Sequence, residues 1–346
     1  MMGFGGNVQL ARVSRSRGAA SVANVVRALA FHVPTAFLVV TLIFLLPRIM
    51  PGDPLLARTD PDSGLYVSDP QARERFEEYY GLNRSLGAQY VHYVGALARG
   101  ELGWSIARSA PVATLIGKSL PWTLLLVGTA ILVSSLLGFI GGVTAAWRRG
   151  RTTDRGLVVA TTLMRALPEY VWAVLLLVLF AVVVPIFPLY GAETPFAEYG
   201  SALGQALDVI RHLVLPATAL AFGLLAGKFL LVRNTVLSAL GQDYMLLARA
   251  KGLPERRIKY RHAGRNALLP FLTAVGIQVG FAVGGAVLVE SVFAYPGMGS
   301  LILRAVNDRD YPLLEGAFLV LALTVIAANA VVDLAYARLD PRAAAR

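Results

Sequence analysis

The residue types that usually carry chemistry are thinly spread in this chain. Gly117-Lys118-Ser119 ends as a phosphate loop would, but such a loop needs a glycine five positions earlier, where the chain has Val112. ATP hydrolysis by the chain itself is therefore not expected. No Gly-x-Ser-x-Gly and no His-Glu-x-x-His occurs, and no pair of acids stands out as an acid/base couple. The four histidines, His32, His92, His212 and His262, lie far apart and set no metal-ligand spacing. There is no cysteine, which excludes disulfides, thiolate metal sites and a Cys nucleophile. Gly3, Gly5 and Gly6 follow no strand and read as terminal chain rather than a dinucleotide loop. The expectation is a protein that is not an enzyme and needs no cofactor.

The polar residues that remain of interest sit inside apolar runs. Arg165, Glu169, Gln278, Asn329 and Asp333 are of this kind. A charged group at mid-depth in a bilayer costs roughly 3 kcal/mol on insertion scales, so such residues need a reason. They could line a pathway. Arg165 and Glu169 are four apart and could instead pair with each other. Asp333 is expected near a helix end.

The elements that would position these residues are membrane helices. Only 15% of the 346 residues are charged and 56% are hydrophobic, against about 25% charge in soluble domains. Mean hydropathy is +0.61. The apolar excess is gathered into charge-free runs between Arg27 and Arg48, Lys118 and Arg148, Glu169 and Glu193, Arg211 and Lys228, Arg265 and Glu290, and Glu315 and Asp333. A crossing helix needs about 20 residues. The third run is expected to begin earlier, near Val158, and Lys228 is expected to snorkel from a helix end. Six runs of this type predict an all-α integral membrane protein with six transmembrane helices.

Loop charges predict its orientation. Arg12, Arg15, Arg17 and Arg27 precede the first run; Arg148, Arg149, Arg151 and Arg155 follow the second; a larger basic set from Arg233 to Arg265 follows the fourth. Glu193, Glu198 and Asp208 dominate the third connection, and Asp308, Asp310 and Glu315 outnumber Arg304 and Arg309 in the fifth. Basic and acidic connections alternate, so both termini are expected in the cytoplasm. The net charge of +11 then needs no nucleic-acid partner. In the external segment, residues 70–99 have helical spacing of aromatic residues. Gly276, Gly280 and Gly284, and Gly138 and Gly142, recur every four residues and read as close-packing faces.

The connection between the fourth and fifth runs is the most informative. It reads Asp243-Tyr244-Met245-Leu246-Leu247-Ala248-Arg249-Ala250-Lys251-Gly252-Leu253-Pro254 and continues as a basic segment to Pro270. Asp243 suits a helix N-cap, Gly252 the C′ position and Pro254 the first turn of a second helix. This predicts a two-turn helix projecting from the bundle, with Tyr244 and Leu247 as apolar anchors and small residues that admit another backbone. Docking on a cytosolic protein and lying on an anionic membrane surface both fit these residues.

That stretch resembles the coupling loop of ABC-importer permeases, and Ala248-Arg249-Ala250-Lys251-Gly252-Leu253 resembles its form in dipeptide and oligopeptide (nickel) permeases. The resemblance runs from about residue 28 to the end. It includes Pro51-Gly52-Asp53-Pro54, Tyr80-Gly81-Leu82, Gln89-Tyr90, Gly100-Glu101-Leu102-Gly103-Trp104-Ser105 and His212-Leu213-Val214-Leu215-Pro216-Ala217, the last opening the fourth span. It also includes Tyr295-Pro296-Gly297-Met298-Gly299, Arg309-Asp310-Tyr311-Pro312 and Asp340-Pro341-Arg342. Two departures from the generic loop appear: Leu246 replaces its glutamate, and the interval from Gly252 to Pro270 is longer.

The resemblance implies a type I ABC importer permease fold in the plasma (inner) membrane of a prokaryote. It implies a translocation pathway formed with a second homologous permease subunit, driven by two cytosolic ABC ATPase subunits and fed with di- or oligopeptides by an external substrate-binding protein. The coupling role falls on Tyr244, Ala248, Arg249, Ala250, Lys251 and Gly252. The expected division is a cytoplasmic tail (1–27), a first transmembrane helix (28–48), an external loop or cap (49–118), a five-helix core (119–340) with a coupling loop about 235–266, and a short tail (341–346). Nickel chelates, glutathione or oligosaccharides are alternative cargoes of such a machine, and an ATP-independent secondary transporter is the rival class.

Overall fold

The computed structural model describes residues 34–45, 48, 84–105 and 107–339. The N-terminal tail, Pro51-Gly52-Asp53-Pro54, Tyr80-Gly81-Leu82, the first part of the 70–99 segment and Asp340-Pro341-Arg342 lie outside the described residues.

The first apolar run carries helix α1 (Pro34–Leu45). In the outer segment, α2 (Leu86–Ala98) is capped by Ser85, whose hydroxyl accepts from the Ala88 amide. A two-residue antiparallel ladder follows, β1 (Trp104–Ser105) against β2 (Ala110–Pro111), the one departure from an all-helical chain among the described residues. Pro111 then leads into α3 (Val112–Trp147). Gly117-Lys118-Ser119 lies within this helix, so it forms no phosphate loop.

The third run departs from expectation. It is two helices, α4 (Thr152–Ala166) and α5 (Glu169–Val183), meeting at 97°. A residue before proline is driven out of the helical region, and Leu167 is extended at φ −112°, ψ 141° ahead of Pro168. The Trp172 indole donates across the break to the Met164 carbonyl at 2.8 Å. The helix near Val158 therefore precedes the apolar segment instead of extending it, and Arg165 and Glu169 are on different helices with no ion pair between them.

The long α6 (Ala202–Leu240) starts ten residues before His212, at the Ser201 cap, and holds Pro216 in its interior. The signature at His212 thus lies inside the helix and does not open it. Lys228 is also interior and fully buried, with Nζ donating to Ser134 Oγ at 2.7 Å on α3. It does not snorkel: α6 continues twelve residues past it, and its neighbour across the seam is Gly138.

After α7 (Asp243–Ala250) comes α8 (Glu255–Val292), whose second turn is a π segment over Ile258–Gly264. Helices α9 (Met298–Asn307) and α10 (Tyr311–Leu339) close the bundle. Among the described residues, α3, α6, α8 and α10 are each long and apolar enough to cross a membrane, and the bent α4–α5 pair adds a fifth if its two helices count as one span. Helix α10 runs on past Asp333 to Leu339.

Helices α3 and α6 make the most extensive pairing. Its closeness follows from glycine: a Cβ on Gly142 would sit 2.8 Å from the Phe229 carbonyl oxygen and the Val232 Cβ. Gly276 likewise meets Val332 on α10 and Gly280 faces Val325, while Gly284 meets nothing. Ordinary packing within the chain explains the repeated glycines, Gly284 excepted.

Two signature motifs prove to be anchoring points at the end of the bundle away from α7. Asp310 is buried; its Oδ2 accepts from the Ser105 hydroxyl at 2.5 Å and the Ala107 amide at 3.0 Å. This ties the Gly103-Trp104-Ser105 turn to the start of α10. Glu290 is buried under the loop from Tyr295 to Ser300, accepting from Thr123 Oγ1 at 2.6 Å and the Ser300 amide at 3.1 Å. Arg48 closes the same region with a 2.7 Å ion pair to Glu315. Asp310 and Glu315, counted from sequence as connection charges, are structural.

Candidate functional site

The α7 segment forms as its residues predict, with one shift at the start. Gln242 is the N-cap residue and Asp243 the first helical one, where a carboxylate favours the positive end of the helix. The C-terminus is a Schellman motif. Gly252 has φ +67°, its amide donates to the Arg249 carbonyl at 2.9 Å, and the Leu253 amide donates to the Ala248 carbonyl at 3.4 Å. A positive φ is what glycine supplies without Cβ strain. Pro254 then caps the next helix, which passes through the π segment into α8.

The helix has a buried side that the sequence reading did not expect. Met245 and Ala248 are 1% and 5% exposed. They pack in a cluster with Val143 and Ala146 of α3, Val232 and Val236 of α6, and Ile258 and Ala263 of α8. The helix is therefore mounted on the bundle and does not project free of it. Ala248 faces this mount and presents no surface to another chain. The sequence signal was available: Met245 and Ala248 are three apart, one helical stripe.

The opposite side is open. Leu246 and Leu247 are 65% and 56% exposed, and Tyr244, Arg249, Ala250, Lys251 and Gly252 are exposed too. Two contacts stiffen this face. The Asn266 amide of α8 donates to the Tyr244 hydroxyl, and the Arg249 guanidinium lies 6.0 Å from the Trp147 ring centroid. Nothing lies within 4 Å of where a Gly252 Cβ would stand.

The surrounding connections are locked as well. Asp154, at the start of α4, accepts a two-pronged contact from Arg233 of α6 at 2.7 and 2.9 Å, and a third bond from the Gly150 amide at 2.9 Å. Lys259 of the π segment donates to Thr144 of α3 at 3.1 Å. Parts of α3, α6 and α8 thus hold α7 in one orientation, with α4 tied to α6 beside them and basic residues around it. The expected loop boundaries near 235 and 266 fall within α6 and α8.

No group of three or more His, Asp or Glu among the described residues is arranged to hold a metal. The geometry offers a rigid handle, apolar in the middle and basic at its end, which a second protein could push or pull. It offers no nucleophile with a base.

Residues 138–345 match the family described as binding-protein-dependent transport system inner membrane component. The chain is 37% identical to the di/tripeptide transport system permease protein DppB of Pseudomonas aeruginosa over 92% of this chain and 97% of that one. It is 34% identical to the oligopeptide transport system permease protein AppB of Bacillus subtilis, over 92% and 98%. It is 32% identical to the glutathione transport system permease protein GsiC of Escherichia coli, over 92% and 97%.

Proposed function

Since the chain belongs to the family of binding-protein-dependent transport system inner membrane components, as a non-catalytic, multi-pass permease subunit, we propose that it forms a pathway for di- and oligopeptides. Relatives named for peptide transport, aligned over nearly their whole lengths, support that cargo. The glutathione relative supports a short peptide-like substrate as the second reading.

In this reading the chain crosses the plasma (inner) membrane of a prokaryote six times, α1 being part of the first crossing. Both termini lie in the cytoplasm. The division is the tail 1–27, the first helix 28–48, the external cap 49–118, and the core 119–340 followed by the tail 341–346. A second homologous permease completes the pathway, two cytosolic ATPases drive it, and an external binding protein delivers the peptide.

The observation that carries the reading is the two-sided α7. Leu246, Leu247 and Tyr244 seat in a groove of the ATPase, with Arg249, Ala250, Lys251 and Gly252 at the rim. Met245 and Ala248 transmit displacement to α3, α6 and α8. Closure of the ATPase pair on ATP would bias the bundle between two packings, which is the form that coupling at a distance takes. Gly252→Trp tests this in the assembled complex. The expected result is normal membrane insertion, with peptide uptake lost while the ATPases still hydrolyse ATP. Uptake equal to wild type would overturn the assignment.

A further inference from the structure

We propose that Glu169 is a specificity-determining residue of the pathway, receiving the protonated amino group of the transported substrate; this rests on the peptide-permease reading above. Glu169 stands at the first position of α5, just after the 97° break. Its side chain does not point away from the bundle. It lies over Gly223, near the middle of α6, where a Cβ would come within 2.7 Å of its Cδ, and it approaches Gly285 of α8, whose Cβ would be 3.8 Å from the same atom. Two glycines on two helices thus make room for one carboxylate.

That carboxylate has no hydrogen-bond or ion-pair partner among the described residues, and Arg165, four positions earlier, is exposed in the last turn of α4. Gln278 reaches the same α6–α8 seam. Its Nε2 donates to the Leu224 carbonyl at 3.3 Å, which leaves Oε1 buried without a donor. Gly223 and Gly227, the α6 positions beside Glu169 and Gln278, are four residues apart, about 6 Å along the helix. The nearest buried cation on α6, Lys228, is turned towards α3 and held by Ser134.

Two acceptors short of donors, one of them charged, therefore share one seam in the middle of the bundle. A partly buried carboxylate inside a membrane-spanning bundle is costly unless a cation meets it. A group with several N–H donors and a positive charge matches both acceptors. A primary ammonium is such a group, and a peptide amino terminus carries one.

The test uses the complete transporter in proteoliposomes, with ATPases, second permease and binding protein, and compares a dipeptide with its N-acetylated form. Glu169→Gln is expected to lower uptake of the free-amine dipeptide about tenfold, to leave uptake of the acetylated form unchanged, and to retain ATP hydrolysis. Glu169→Asp is expected to recover most of the loss. Equal uptake of the free-amine dipeptide by Glu169→Gln and wild type would overturn the Glu169 assignment alone. So would an equal loss for both substrates, which marks a structural role or an ion pair with the second permease. A wild-type complex that imports neither peptide would overturn the peptide reading and this assignment with it.

Discussion

Thr123 serves two partners with one oxygen. Its hydroxyl donates to Glu290 and accepts from the Met298 amide at 2.7 Å, so the first turn of α9 hangs on a side chain of α3. Thr123→Val keeps the shape and strands both partners. A buried group left without its bond costs about 1–3 kcal/mol, so the purified variant should unfold at a lower temperature in detergent; an unchanged midpoint would show that the loop is held by other contacts. The same scale shows why sequence reading missed these residues. Glu290 looks like the acidic end of an apolar run and Asp310 like a connection charge, and neither can be told from a buried acceptor until its donors are placed. Gly252 is the opposite case. The series Ala-Lys-Gly-Leu-Pro contains the whole reason for the left-handed turn, and the positive φ was legible without any tertiary contact.

The α7 helix is short, and its stability comes from its mount more than its length. The two faces can be separated by mutation. Met245→Ala removes buried volume from the cluster shared by α3, α6 and α8, and such truncations cost about 2–5 kcal/mol. Leu246→Ala and Leu247→Ala remove exposed side chains, and surface changes shift stability by about 0.5 kcal/mol or less. Thermal midpoints should therefore drop for Met245→Ala and hold for the leucine variants, while pull-down of the ATPases should weaken for the leucine variants. The reverse pattern would mean that the buried and open faces have been exchanged. At this scale the sequence carried the helix, its ends and its apolar residues. It did not separate anchors for the bundle from anchors for a partner, because both are apolar at helical spacing.

Across the whole molecule, the packing gathers Arg148, Arg149, Arg151, Arg249, Lys251, Arg256 and Arg257 near the α7 end, while the acidic Glu193 lies in the connection before α6 and Asp208, counted from sequence with that connection, falls in the opening turns of α6. The absence of cysteine makes the topology simple to probe. Single cysteines at Arg249 and at Glu193, both exposed, should react with a membrane-impermeant maleimide from opposite sides, Arg249→Cys only from the cytosolic one. Labelling of both from the same side would break the alternation of basic and acidic connections on which the orientation rests.

The sequence by itself determined what local chemistry and solvent dictate. Long charge-free runs demand a bilayer, loop basicity suggests which side is which, and Gly252 ends its helix wherever it is placed. Only the tertiary structure decided which polar residues are matched. Lys228 meets Ser134, Asp154 meets Arg233, and Glu169 meets two glycines and no donor among the described residues. Their partners lie on helices far away in sequence, and whether a buried charge is satisfied depends on contacts that exist only once the helices have packed.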